Sequence, residues 1–372
     1  RRLGFALDWI REKFTMDPQV VTIVNNTFKK LFNEGLVYRA NRLVNYCTNC
    51  GTSFSDLEIN YVERIDPLYY IKYGPFTLAT VRPETKFGDT AVAVHPNDKR
   101  YKKWVGQKIE VKGVIGSFKV KVVADEAVDM KFGTGAVKVT PAHDFNDYDI
   151  AKRHNLPMRQ VIGFDGRLNE HAGKYKGMKV NAARVQIVQD MQTMGLIEKI
   201  KEDYTHRVGT CYRCARVLEP LPKEQWFIKI KPLADSAKKL IKEKKTVIFP
   251  KRFEKQMVRI LDNYIDWNIS RQVVWGIRIP AYFCTNSKLK IENSNSWFVS
   301  EEKPEKCQIC GECDFVQDED TFDTWFSSAQ WPFATLMSCS NSKFKIKNEK
   351  LNFYKYFYPT SVMETGHDIM RA

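Results

Sequence analysis

The chain has 372 residues, enough for two or three domains. Its 43% hydrophobic and 28% charged residues are ordinary globular composition, which excludes wholesale disorder, collagen and coiled coil, and no uninterrupted apolar run approaches the ~18 residues of a membrane span. Lys and Arg number 59 against 44 acids, a net +15 that favours a polyanionic partner, nucleic acid first, although many basic proteins bind none.

The chain opens RRLGFALDWI, without Met or a signal-peptide pattern, and closes TGHDIMRA inside what reads as an element. An internal piece of a longer protein is expected. Residues 1–45 read as helical. Asp17 and Pro18 form a start signal, Val20, Val24, Phe28 and Leu31 recur at helical spacing, and Gly35 closes the run. From about 60 the texture becomes strand-like, in PLYYIKY, FTLATV, TAVAVHP, QKIEVKGV and KVKVVA. AVKVT then leads into a helix that must end near Pro157. A second helix, NAARVQIVQDMQTMG, is expected to be capped by Asn181 and closed by Gly195. Residues 229–255 hold ten basic residues against Asp235, Glu243 and Glu254. That run is either a phosphate-contacting helix or a solvated helix face. Beyond 256 the pattern is mixed α/β and rich in tryptophan.

Cysteine spacing adds an architectural constraint. Cys47 and Cys50 form one CxxC, Cys211 and Cys214 a second, and Cys307 and Cys310 a third, with Cys284 and Cys313 flanking it. Two CxxC pairs supply the four thiolates of a tetrahedral zinc site. If the first two share one metal, the 161 positions from Cys50 to Cys211 are an insertion hung from a metal-clipped neck. The alternative is two separate sites with missing ligands.

Five strings in this order resemble the valyl-tRNA synthetases of class I: NRLVNYCTNCGTSFSDLE, ATVRPETKFGDTAVAVHP, FGTGAVKVTPAHDFNDYDIAKRHNLP, DWNISRQVVWGIRIP and FDTWFSSAQWPF. The resemblance covers nearly the whole chain. It implies an α/β fold: parts of a Rossmann-type class I catalytic domain, with an inserted β-rich α+β editing domain and zinc-binding knuckles. The implied division is residues 1–60, part of the catalytic domain with the first half of the neck; 61–204, the editing domain; 205–255, the second half of the neck and the basic helical segment; and 256–372, the second catalytic part with a Cys-rich knuckle at 284–313. For the whole protein it implies ATP- and Mg2+-dependent attachment of valine to tRNA(Val), hydrolysis of mischarged threonyl-tRNA(Val), bound zinc, a cytoplasmic location, a monomer and no membrane partner. No HIGH-type or KMSKS motif occurs in the chain, so these residues alone are not expected to activate valine.

Editing needs a carboxylate for the substrate's α-ammonium, cationic groups for the RNA end and polar groups for the threonine hydroxyl. By resemblance, Asp147 anchors the ammonium, Lys138, Thr140 and Asp144 line the hydroxyl-reading pocket, and Arg82 and Thr85 contact the terminal adenosine or the ester. Water is the expected nucleophile. Blander readings stand beside these: Asp144 as a helix cap, Asp147 as a dipole-favoured surface acid, and Lys138 as an exposed strand lysine. His95 and His154 read as structural, and His143 as structural or part of a polar network rather than as a base. In the synthetic half-site Trp325 is expected to wall the valine pocket, or else to be a core tryptophan. Gly366 and Asp368 match positions at the adenylate ribose. Two departures from the family pattern stand out: Ile277 occupies a place where many relatives have His, and Ser287 one where many have Cys. Either Cys313 completes a second zinc site with Cys284, Cys307 and Cys310, or that site is lost. Two other readings are a non-catalytic zinc-ribbon RNA-binding module and a branched-chain synthetase of other specificity.

Overall fold

The computed structural model describes residues 3–5, 9–285, 297–308, 310–311, 314–339, 345–346, 349–350 and 352–366. The chain divides into two compact units, residues 41–223 and residues 1–40 with 224–372. Strands β1 (Val37–Cys47) and β10 (Glu219–Ile228) carry the chain from one unit into the other.

The 41–223 unit is β-rich. β2 (Thr52–Phe54) folds back on β1, with Asn45 opposite Phe54. β3 (Ile59–Tyr73) continues to β4 (Phe76–Thr80) in a hairpin. A 3-10 turn, Pro83–Gly88, leads to β5 (Ala91–Val94). β6 (Lys108–Gly113), β7 (Gly116–Ala124) and β8 (Ala136–Val139) follow, then α2 (Phe145–His154) and α3 (Val180–Thr193), with α1 (Pro18–Asn33) earlier in the chain. β9 (Ile197–Cys211) returns along the whole of β3, so that Ile59 and Cys211 are neighbours. The second sheet has the order β6-β7-β5-β8, with β5 parallel to β7 and antiparallel to β8.

All four residues of β5 are buried. Because side chains alternate along a strand, Val92 and Val94 join Tyr73, Leu78, Val111 and Val122 on one face. Ala91 and Ala93 join Val123, Val139 and Ile150 of α2 on the other. A third cluster sets Ala183, Ile187 and Met191 of α3 against Tyr69, Ile71, Ile162 and Leu221.

In the other unit, Val20, Val24 and Phe28 of α1 pack with Trp226, Ile269, Ile277, Phe322 and Phe326. Ile277 is thus a core residue, and an apolar side chain there has a packing reason. Its short strands β11 (Trp267–Asn268), β12 (Ser270–Arg271), β13 (Ala281–Cys284), β14 (Trp297–Val299), β15 (Phe315–Gln317) and β16 (Thr321–Phe322) pair antiparallel, β11 with β10 and the others among themselves. α4 (Ile230–Lys242), α5 (Arg252–Asp262), α6 (Thr324–Ser328), α7 (Trp331–Met337), the antiparallel pair β17 (Lys345–Ile346) and β18 (Glu349–Lys350), and α8 (Phe353–Phe357) are its other described elements.

The expected α/β character is present. The expected strand strings form β3 to β8. Three local expectations are corrected. The helical reading of residues 1–45 fails at Val37, where β1 begins. Gly35, at φ +70°, closes α1 through Leu36 N–H donating to Leu31 O, and frees the chain to extend. Asp17 takes the cap position of α1, its carbonyl accepting from Val21 N–H at 3.0 Å, but its side chain makes no cap bond; its carboxylate accepts from Phe14 N–H at 3.1 Å. α3 begins at Val180, so Asn181 lies inside the helix and Lys179 takes the cap position without a side-chain bond. The basic run 229–255 forms α4 and the start of α5, and Lys231, Lys238, Lys239 and Lys245 pair with Asp235, Asp262 and Glu243.

Candidate functional site: a buried polar cluster and a thiol clip

β8 and the Pro83–Gly88 turn position a polar cluster in the 41–223 unit. Lys138 lies in β8 and Thr140 just beyond its end, two residues apart and on one side of the strand. Lys138 Nζ donates to Thr85 Oγ1 at 3.0 Å and to Thr140 Oγ1 at 2.5 Å. Thr85 and Thr140 are 2% and 0% exposed, while the Lys138 side chain keeps 13% of its surface. The two hydroxyls therefore grip Lys138 from inside the protein.

Asp147, in the first turn of α2, accepts the Thr140 backbone N–H at 2.8 Å. It is half-buried. Burial, and then the neighbouring charge of Asp144, push its carboxyl up to about 7, against the opposing pull of Lys138 and the Thr140 amide. Asp144 is exposed and caps α2, accepting from Asn146 N–H at 2.9 Å and Asp147 N–H at 3.1 Å. Its capping reading is thus realised, and its link to the cluster is its charge beside Asp147.

Arg82 joins through the backbone, since Thr85 Oγ1 donates to Arg82 O at 3.0 Å. Its guanidinium donates to Glu84 at 3.1 Å, to the His143 carbonyl at 3.4 Å and to Glu219. Arg184 binds Glu84 in a fork, both bonds at 2.8 Å. Glu84 has no exposed surface; burial favours its neutral form, but the two guanidiniums outweigh burial and hold its pKa below the ordinary value. His143 Nε2 accepts from Val161 N–H at 2.9 Å and Nδ1 donates to Pro220 O at 3.3 Å. Burial and the Arg82 charge push its pKa down to about 3, so it is a neutral strut with both nitrogens committed.

Sequence reasoning missed Tyr73, Glu84, Asp89, Arg184 and Glu219. Glu84 and Asp89 stand in the very string that yielded Arg82 and Thr85. Arg184 and Glu219 gave no sequence signal, because only the tertiary fold brings them to Arg82.

At the base of the β3–β9 ladder Cys47, Cys50, Cys211 and Cys214 converge, all four sulfurs within 4.8 Å of one another. Cys47 Sγ lies 3.5 Å from Cys214 Sγ, and Cys50 Sγ 3.9 Å from Cys211 Sγ. Four sulfurs at ~2.3 Å around a tetrahedral zinc stand about 3.8 Å apart, so the donor set fits that ion. The Cys50 backbone N–H donates to Cys47 Sγ at 3.3 Å. Burial pushes the Cys47 thiol up to about 12. At Cys214 burial is outweighed by hydrogen bonds from the Arg216 amide and the other three thiols, which bring it down to about 7.

In the other unit Cys284, Cys307 and Cys310 form a second group within the same limit, with Cys284 Sγ 3.5 Å from Cys310 Sγ. Cys313, the expected fourth ligand, lies outside the described residues, as do Ser287 and Asp368. Trp325 sits in α6, half-buried and absent from the core cluster around Phe326. Gly366 is in an exposed stretch. Among the described residues no helix is long and apolar enough to cross a membrane.

Comparison with known proteins places the chain in a family. The family described as tRNA synthetases class I (I, L, M and V) matches residues 1–372. The valine--tRNA ligase of Thermotoga maritima is 46% identical over 376 residues, covering 100% of this chain and 41% of that protein. Those of Petrotoga mobilis and Dehalococcoides mccartyi are each 44% identical, covering 100% and 99% of this chain and 41% and 40% of theirs. The chain spans about two fifths of the length of these relatives. With a match along its entire length, the chain belongs to the class I tRNA synthetases of the I, L, M and V group.

Proposed function

We propose that the whole protein is a valine--tRNA ligase, attaching valine to tRNA(Val) with ATP and Mg2+ in the cytoplasm. Within the 41–223 unit, residues 61–204 act as its editing domain, hydrolysing threonyl-tRNA(Val). The observation that carries the editing reading is the meeting of Lys138, Thr85, Thr140 and Asp147 around one part-exposed ammonium and one half-buried carboxylate. The need is chemical. An apolar synthetic pocket cannot strongly reject an isostere that merely adds a hydroxyl, the valine enzyme against threonine being the standard example of that limit, so a second, polar site must recognise that hydroxyl.

In this reading ionised Asp147 receives the α-ammonium. Lys138, held from behind by Thr85 and Thr140, donates to the threonine hydroxyl. The part-exposed Arg82, 24% open at its side chain, faces the adenosine or the ester. Asp144 adds negative charge beside the ammonium. Water attacks the ester carbonyl; the bond to the ribose oxygen breaks, that oxygen takes a proton, and threonine leaves. Cys47, Cys50, Cys211 and Cys214 would hold a zinc ion, which would supply a cross-link at the neck and no chemistry. Cys284, Cys307 and Cys310 would furnish three ligands of a second zinc. Residues 256–372 belong to the Rossmann-type catalytic part, with Trp325 against the valine side chain and Gly366 and Asp368 at the adenylate ribose.

The test is deacylation of threonyl-tRNA(Val) and valyl-tRNA(Val) by the protein at its natural full length, beside its Asp147→Ala variant. Selective hydrolysis of the threonyl ester, reduced at least about 100-fold in the variant, is expected. Equal hydrolysis by the two proteins would remove Asp147 from the site. Survival of RNA binding without any hydrolysis would leave a binding module.

A further inference from the structure

Lys138 is an ammonium drawn into the protein, and something must hold it pointed. We propose that Asp89 is the positioning residue for Lys138: the buried Asp89 carboxylate, Thr140 and Thr85 form a fixed cradle that presents the Lys138 ammonium to the threonine hydroxyl of the substrate. This proposal rests on the editing reading for its substrate but not for its geometry.

The argument runs through hydrogen-bond direction. An ammonium only donates. Thr85 and Thr140 must therefore each accept from Lys138 Nζ and send their own protons elsewhere. Thr85 sends its proton to Arg82 O at 3.0 Å. Thr140 sends its proton to Asp89 Oδ1 at 2.5 Å. Asp89 Oδ2 takes the proton of Tyr73 at 2.7 Å. Asp89 Oδ1 also lies 3.6 Å from Lys138 Nζ, as its charge partner. Every direction in the set is determined once Asp89 is an ionised acceptor. The register holds it in place: Thr90 N–H donates to Val139 O at 2.9 Å, and Val92 faces Lys138, so Asp89 enters β5 beside the end of β8. Asp89 and Tyr73 are 3% and 1% exposed, so neither touches substrate. The other nearby cation, Lys86, donates to Lys112 O at 3.2 Å and lies 4.8 Å from the centre of the Tyr73 ring. Lys138, through Thr140, is the cation that Asp89 orients.

Asparagine at position 89 has the same shape but no charge, and its amide must point a donor at either Thr140 or Tyr73, both of which already donate there. Asp89→Asn is therefore expected to lower kcat for threonyl-tRNA(Val) hydrolysis by about 30-fold or more, with KM changed less than about threefold. The decisive measurement is a double-mutant cycle with Lys138→Met, read both in hydrolysis and in denaturant midpoint. In the double variant the rate is expected to equal that of Lys138→Met alone, and the midpoint to recover above that of Asp89→Asn, because the part-buried ammonium left without its charge partner has gone. Rates that multiply, or midpoint shifts that simply add, would overturn the proposal. If the unaltered protein hydrolyses nothing, the editing reading fails, and the midpoint cycle alone still decides the pairing. Should Asp89→Asn fail to fold, Tyr73→Phe replaces it: a three- to tenfold fall in kcat is expected, and an unchanged kcat overturns the proposal.

Discussion

Asp144 shows how one side chain can hold two jobs that a substitution can separate. Its carboxylate caps α2, and its charge lies beside Asp147, whose carboxyl stands at about 7. Asparagine caps as well as aspartate but carries no charge. Asp144→Asn should therefore leave thermal stability nearly unchanged while moving the acid limb of threonyl-tRNA(Val) hydrolysis to lower pH. In the proposed reading that activity needs ionised Asp147, so it rises with pH through the Asp147 titration, and removing a like charge makes ionisation easier. Asp144→Ala should shift the limb in the same way and also cost about 1 kcal/mol of stability, measured by denaturant midpoint. The linkage has a definite sign. Asp147 binds a proton more tightly folded than unfolded, so between its ordinary value of 3.8 and about 7 its contribution to stability falls as pH rises. A pH limb unmoved in Asp144→Asn would show that the neighbouring charge does not reach Asp147. At this scale the sequence was legible where a residue's role is local. Lys138 and Thr140 are two apart on a strand, and Asp144 stands at a helix start. It was silent on Asp89, Glu84 and Arg184, whose roles arise only when the turn before β5 meets β8 and α3.

The elements read most clearly from the sequence are those with one apolar face. β4 to β8 alternate or run apolar, and α1 carries Val20, Val24 and Phe28 at helical spacing. β9 and the first half of β3 were illegible as strands for a physical reason. From Asn60 to Arg64 the side chains are exposed on both faces, and β9 is open along most of its length. This ribbon is a backbone ladder with little core beneath it. A ribbon of that kind needs an anchor at its end, and the thiol cluster sits there, where Ile59 pairs with Cys211. Closing the 161-position loop by a cross-link restricts the unfolded chain by an entropy worth about 5 kcal/mol at most. Metal analysis should find one zinc dependent on Cys47, Cys50, Cys211 and Cys214. Cys50→Ser, or chelation under native conditions, should lower the stability of this unit by about 2–5 kcal/mol, read from its denaturant midpoint, and speed hydrogen exchange along β9 before α3 is affected. Unchanged exchange in β9 after loss of the metal would mean that the ladder holds itself together.

Among the described residues, each buried cluster draws its members from one unit only. Tyr69, Ile187 and Leu221 belong to one, and Phe28, Trp226 and Phe322 to the other. Unfolding is cooperative where a core is shared, so the two units are expected to give two calorimetric transitions rather than one. Phe28 has no exposed surface, and its ring lies 5.5 Å from that of Trp226, 5.1 Å from Phe322 and 6.4 Å from Phe326. Truncating it to alanine removes these contacts and leaves a cavity that the surrounding rings cannot fill, a loss of about 3–5 kcal/mol. Phe28→Ala should therefore lower one transition only, leaving threonyl-tRNA(Val) hydrolysis and the Cys50-dependent transition where they were. Ile187→Ala, at about 2–5 kcal/mol, should do the reverse. The pair of variants also separates the two activities proposed for the protein, because the polar cluster lies in the 41–223 unit and Trp325 in the other. If either substitution moved both transitions together, stability would be shared across the chain, and residues 41–223 would have to be regarded as part of one folding unit with the residues on either side of them.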